Sequence, residues 1–195
     1  MRARYGGFRS TNVAMTPIWI LLGVNFLFYF ATLIRRDVIL DTFGLTPLEF
    51  LNEPWTIVTN MFVHAGLWHI LGNMLMLYFF GSYLLGLLGE AKFLLVYFVG
   101  GLMGNALYMA IGPEFATAVG ASGALYAIMG TLAVMRPRLK VLIWFMVPVD
   151  LWIVVVVGAL IISPSVAWQA HIGGLVFGLA VGLYLRRKER GSFWR

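Results

Sequence analysis

The stretch WQAHIGGLVFGLAVGLYLRRKER, residues 168–190, runs from Trp168 to Leu185 with no acidic residue, lysine or arginine and then stops at Arg186-Arg187-Lys188-Glu189-Arg190. An apolar run of about 18 residues or more is long enough to cross a bilayer as a helix, and a basic cluster at one end is an orientation signal. Within it Ala170, Gly174, Gly178 and Gly182 recur every fourth residue, so one helix face is a strip of small side chains. Such a strip lets two helix backbones approach closely in lipid. The segment therefore reads as a membrane span packed tightly on another, and it carries His171 near its start. An ionisable group inside a span is costly and is a functional candidate for that reason.

The rest of the chain has the same character. Of 195 residues, 61% are hydrophobic and 11% charged, with mean hydropathy +0.89. A soluble domain is about 25% charged, so a soluble enzyme, a disordered tail and a secreted mini-protein are excluded. There is no cysteine, which removes disulfides, thiolate ligands and a thiolate nucleophile. The net charge of +6 does not point to nucleic acid, because the basic residues sit at the edges of apolar runs.

Working outward, the apolar runs predict an all-α bundle of six spans: Pro17 to Ile34, Leu67 to Leu88, Lys92 to Gly112, Gly120 to Met135, Asp150 to about Pro164, and Trp168 to Leu185. The fourth ends at Arg136-Pro137-Arg138. Asp150 is placed at the inner edge of the fifth because a carboxylate at mid-span costs about 2.5 to 3.5 kcal/mol. Val141 to Val147 becomes an interfacial piece, and Arg35 to Gly66 a long amphipathic first loop lying in the interface. Six spans of about 20 residues leave too little chain for a second domain, so residues 1–195 are expected to form one membrane-embedded domain. Its parts are a cytoplasmic segment 1–16, a core 17–185 and a basic tail 186–195. Twelve of the 14 lysines and arginines then fall on the side of the termini and only Arg35 and Arg36 on the other. Both termini are predicted to be cytoplasmic, in a plasma membrane.

All three histidines, His64, His69 and His171, lie at or just inside span starts on the outer side. Asn73 and Ser122 share that level. Gly123, Ala127 and Thr131 form a small-residue strip on span four that matches the one on span six, and packing the two brings Ser122 beside His171. A hydroxyl hydrogen-bonded to an imidazole is the minimal activated nucleophile, with His171 as general base. His69 and Asn73, spaced i and i+4 on one face of span two, can donate to a developing oxyanion. The Ser122 backbone N–H, at a helix start, is a third donor. None of the eight carboxylates falls in the outer half of a span, so a dyad is expected. Tyr126, one turn below Ser122, can orient the imidazole by ring contact. His64 is expected to order the loop beside the site. The bland reading of Ser122 is a serine bonded to its own helix backbone.

The elements Gly120-Ala121-Ser122-Gly123 with Tyr126, His64-x4-His69-x3-Asn73 and Ala170-His171-x2-Gly174-x3-Gly178 resemble the rhomboid intramembrane serine proteases, over about Trp55 to Gly182. The resemblance implies Ser122 as nucleophile, His171 as base, and His69, Asn73 and the Ser122 amide as oxyanion hole. Gly120, Gly123, Tyr126 and His64 would support them. It further implies that transmembrane helices are the substrates, that they unwind at small or helix-breaking residues, and that they enter between spans two and five. No cofactor and no metal are expected. Two positions depart from the family pattern: Trp55 is followed by Thr56 where arginine is usual, and Leu85 stands between Gly81 and Gly89 where glutamate is usual. Both missing groups are usually structural.

Three rivals are weighed. A zinc protease needs a His-Glu-x2-His helix, and His64 and His69 are five apart with no glutamate following. A haem carrier needs axial histidines facing one another across spans, and three at one level serve one haem at most. A catalytically inactive rhomboid-like protein that binds membrane clients remains the alternative, against which the intact Ser122 and His171 count. Partners are thus the lipid bilayer and transmembrane proteins. Glycine strips inside a fold and between subunits look alike, so no oligomeric state is read.

Overall fold

The structure, a computed structural model, describes residues 14–143, 146–159 and 167–192. The expectations for most of the N-terminal segment, the end of the fifth span, the outer loop from Ser163 to Val166 and the last residues of the tail lie outside the described residues. The first helix, α1 (Thr16–Ile34), starts with Pro17 in its first turn, where the missing N–H leaves nothing unsatisfied. Its interior polar side chains bond within the helix: Asn25 Nδ2 donates to the Leu21 carbonyl at 2.7 Å and Thr32 Oγ1 to the Phe28 carbonyl at 2.8 Å.

The long first loop is more structured than its mixed sequence suggests. It holds α2 (Arg36–Phe43), a 3-10 turn at Pro47–Glu49, α3 (Thr56–Thr59) and a second 3-10 turn at Asn60–Phe62. Without an arginine after Trp55, other groups anchor it. Trp55 Nε1 donates to the Thr42 carbonyl at 2.9 Å and Thr59 Oγ1 to the Phe43 carbonyl at 2.9 Å. Leu45 and Ala118 exchange backbone hydrogen bonds of 3.0 and 2.8 Å, pinning the loop to the segment that leads into the fourth predicted span.

Two long helices follow, α4 (Leu67–Leu88) and α5 (Glu90–Ile111). They are joined through Gly89 at φ +81°, a backbone that favours glycine. A π turn at Leu77–Gly81 widens α4 in its middle. Next come α6 (Ser122–Met135), α7 (Leu151–Ala159) and α8 (Trp168–Ser192). Among the described residues four helices, Thr16–Ile34, Leu67–Leu88, Glu90–Ile111 and Trp168–Glu189, are long and apolar enough to cross a membrane. At 14 residues, α6 is about 21 Å long, short of the roughly 30 Å hydrocarbon core.

Among the described residues a pair of strands departs from the all-helical expectation. The piece read as interfacial is a hairpin, β1 (Lys140–Ile143) against β2 (Val147–Asp150), antiparallel with Lys140 opposite Asp150. Its residues are too uniformly apolar to show the alternation that marks a strand. The Lys140 ammonium lies 3.8 Å from Asp150 Oδ1, so this carboxylate sits at the foot of α7, as its cost in lipid requires.

The core centres on α6, which α4, α5, α7 and α8 surround. The two small-residue strips meet as their spacing predicts. A methyl added at Gly174 would collide with the Gly123 carbonyl, one at Gly178 with the Ala127 carbonyl, and one at Gly182 would lie 2.9 Å from the Thr131 carbonyl. Thr131 Oγ1 reaches across this seam to the Gly178 carbonyl at 3.0 Å and back to Ala127 at 2.9 Å. On the outside, Leu27, Phe30 and Leu33 of α1 and Val176 and Leu183 of α8 are exposed. That surface suits a protein whose solvent is lipid.

Candidate active site

Ser122 is the first residue of α6 and His171 the fourth of α8, about 5 Å along that helix from its start. Because Gly123 carries no side chain, the backbones of α6 and α8 touch there and the two functional groups meet. His171 Nε2 lies 2.8 Å from Ser122 Oγ, within the range of a good hydrogen bond. The Tyr126 ring stacks on the imidazole with centroids 4.5 Å apart and planes 23° apart. On the other side of the ring, His171 Nδ1 is buried and has no hydrogen-bond partner among the described residues. No carboxylate therefore orients this imidazole within the described chain; Tyr126 and the α6–α8 seam hold it.

Gly120 precedes the helix at φ +119°, and a Cβ there would lie 2.6 Å from His69 Nε2. Glycine is required at this position twice over, by backbone conformation and by the imidazole edge pressed against it. His69 is thereby brought to the turn that leads into Ser122. Asn73, one turn further along α4, is 6% exposed and donates Nδ2 to the His69 carbonyl at 2.8 Å, while its Oδ1 is buried without a partner among the described residues. One of its two amide protons remains available. Ser122, Gly123 and Ala124 open α6, where the first N–H groups have no partner inside the helix.

His64 is fully buried in the turn before α4, with its ring 4.9 Å from that of His69 and edge-on to it. Its Nδ1 lies 3.3 Å from the Phe62 carbonyl, so Nδ1 carries the proton. Burial, and then the neighbouring His69, lower its pKa to about 3, so it is a neutral group that ties the loop to the site. Among the described residues no three of His, Asp or Glu gather as a metal site would require.

Two residues that shape the site were not singled out from sequence. Asn60 and Asn105 exchange side-chain hydrogen bonds of 3.1 and 2.8 Å, and Asn105 Nδ2 also donates to the Ile57 carbonyl at 2.7 Å. The Asn60 carbonyl in turn accepts the Gly120 N–H at 2.8 Å. This pair hangs the Gly120 turn from α5. Polar side chains inside an apolar segment were the signal available, since such groups must find partners.

Comparison with known proteins agrees with this architecture. The family model described as Rhomboid domain matches residues 51–188, and the chain belongs to the rhomboid family. It is an integral membrane protein with several spans. The chain is 28% identical over 188 residues to Rhomboid protein 1, mitochondrial, of Saccharomyces cerevisiae, covering 87% of this chain and 53% of that protein. It is 32% identical over 150 residues to RHOMBOID-like protein 6, mitochondrial, of Arabidopsis thaliana, covering 73% and 47%. To Rhomboid protease GluP of Bacillus subtilis it is 24% identical over 144 residues, covering 73% and 28%. The chain thus spans about half, or less, of the length of these curated relatives.

Proposed function

We propose that the protein is an intramembrane serine endopeptidase that cleaves transmembrane proteins with a Ser122–His171 dyad. The observation that carries the reading is the 2.8 Å contact between His171 Nε2 and Ser122 Oγ. In this mechanism His171, with its proton on Nδ1, accepts the hydroxyl proton at Nε2 as Ser122 Oγ bonds to the substrate carbonyl carbon. The proton then passes to the departing amine, and water releases the acyl group by the same steps in reverse. His69, Asn73 and the Ser122 N–H stabilise the oxyanion, and Gly120 and Gly123 admit the close contacts. The chemistry uses no cofactor.

The proposed topology is one membrane-embedded domain of six spans, with α6 and α7 as parts of the fourth and fifth and the first loop in the outer interface. Both termini are on the cytoplasmic side of a plasma membrane, and substrate helices enter between α4 and α7. Arg136 and Glu189 pair at 3.4 Å, and Arg186 Nη1 donates to the Val134 carbonyl at 3.2 Å. These contacts keep the basic ends of α6 and α8 together, as a common cytoplasmic side requires.

The test is a fluorophosphonate probe together with cleavage of a reconstituted transmembrane substrate. Wild type is labelled and cleaves, whereas Ser122→Ala does neither while remaining folded. His171→Ala loses labelling because nothing activates the hydroxyl. Undiminished cleavage by Ser122→Ala removes the nucleophile assignment and leaves client binding as the function to pursue.

A further inference from the structure

The inward face of α7 carries Leu151, 1% exposed, then Val155, 3% exposed, then Gly158, at spacing i, i+4 and i+7. Trp152, Val156 and Val157 on its other faces are exposed. Gly158 faces Tyr126: a Cβ built on it would lie 2.6 Å from the Tyr126 hydroxyl and 3.7 Å from Cζ. The same tyrosine ring stacks on His171 with centroids 4.5 Å apart. One aromatic ring thus stands between the backbone of α7 and the imidazole that contacts Ser122.

We propose that α7, through Gly158, is the backstop that fixes the angle of the Tyr126 ring and so the orientation of His171 toward Ser122. Gly158 is then a positioning residue for the dyad, and the inference rests on the dyad reading above. Glycine is needed because the tyrosine hydroxyl occupies the space of a side chain. When that space is contested, the ring yields before the helix does. Moving α7 would withdraw Leu151 and Val155 from the core and strain the 2.8 Å hydrogen bond from the Leu151 N–H to the Leu139 carbonyl at its foot. Tilting Tyr126 sacrifices one ring stack, which is the smaller loss. A methyl at position 158 therefore reaches the active site through the ring.

The experiment measures the fluorophosphonate labelling rate of the full chain for wild type, Gly158→Ala, Tyr126→Phe and the double variant, with melting temperature recorded for each. Alanine favours a helix over glycine, so Gly158→Ala keeps α7 helical. The expected result is labelling about tenfold slower in Gly158→Ala at an unchanged melting temperature, the scale on which small displacements of catalytic groups act. Tyr126→Phe removes the contested oxygen and leaves Cζ at ordinary contact distance. Adding Gly158→Ala to Tyr126→Phe is therefore expected to change its rate no further. A wild-type rate in Gly158→Ala, or equal slowing in both backgrounds, overturns the inference. A wild-type protein that the probe never labels overturns the dyad reading itself, and this inference with it.

Discussion

Replacing Asn105 with leucine, a side chain of similar volume, isolates the polar node that suspends the Gly120 turn. Asn105 takes part in three hydrogen bonds, two with Asn60 and one to Ile57. At about 0.6 kcal/mol each, a value found for polar side chains in lipid, their loss costs about 1.8 kcal/mol. At about 1 kcal/mol each, as in soluble proteins, it costs about 3 kcal/mol. Asn60 is 2% exposed, and its stranded amide adds about 1 to 3 kcal/mol of desolvation without a partner. The expected destabilisation of Asn105→Leu is therefore roughly 3 to 6 kcal/mol. Asn60→Leu combined with Asn105→Leu should cost at least about 1 kcal/mol less than the two single changes added together, because no stranded group remains. Equilibrium unfolding in mixed micelles by titration with a denaturing detergent reads these differences. Because the Asn60 carbonyl holds the Gly120 N–H, the single variant should also be labelled more slowly at Ser122. A loss below about 0.5 kcal/mol, or strict additivity in the double variant, would show that the pair carries no such burden.

In the proposed mechanism Asn73→Ala removes one oxyanion donor and leaves His69 and the Ser122 amide, so kcat is expected to fall about ten- to a hundredfold with little change in KM. Unchanged kcat means the oxyanion hole excludes Asn73. His64 gives a pH signature whose sign follows from its lowered pKa. Between its ordinary value of 6.5 and about 3, the unfolded chain holds a proton that the folded protein rejects. The stability is whole above pH 6.5 and is lost as pH falls through that window. Relative to His64→Gln, wild type should lose up to about 1.4 kcal/mol more per pH unit there; parallel stability profiles for the two proteins would count against a buried neutral imidazole.

Much of the fold was legible because membrane spans announce themselves. Three long helices begin and end within about two residues of the expected Pro17–Ile34, Leu67–Leu88 and Lys92–Gly112, whereas α8 runs on through the basic cluster after Leu185 to Ser192. The seam between α6 and α8 was legible too, since the four-residue spacing of Ala170, Gly174, Gly178 and Gly182 fixes which face must meet Gly123, Ala127 and Thr131. From that seam the nearness of Ser122 to His171 follows without tertiary information. Other features could not be placed from local sequence. The hairpin at Lys140–Asp150 is apolar on both faces, and the π turn at Leu77–Gly81 leaves the apolar run unbroken. The Asn60–Asn105 pair joins residues 45 apart in the chain, and local periodicity cannot see such a partnership. The contact of Gly158 with Tyr126 is of the same kind.

The backbone contact of Gly174 with Gly123 has an implication for how this fold tolerates change. Spacing between the Ser122 and His171 side chains is set by main chain resting on main chain, a jig with no rotamers to adjust. Substitutions on the lipid-facing surfaces can therefore accumulate in this chain without resetting that gauge. By contrast, one added carbon at Gly174 would collide with the Gly123 main chain and would have to be absorbed by moving one helix off the other.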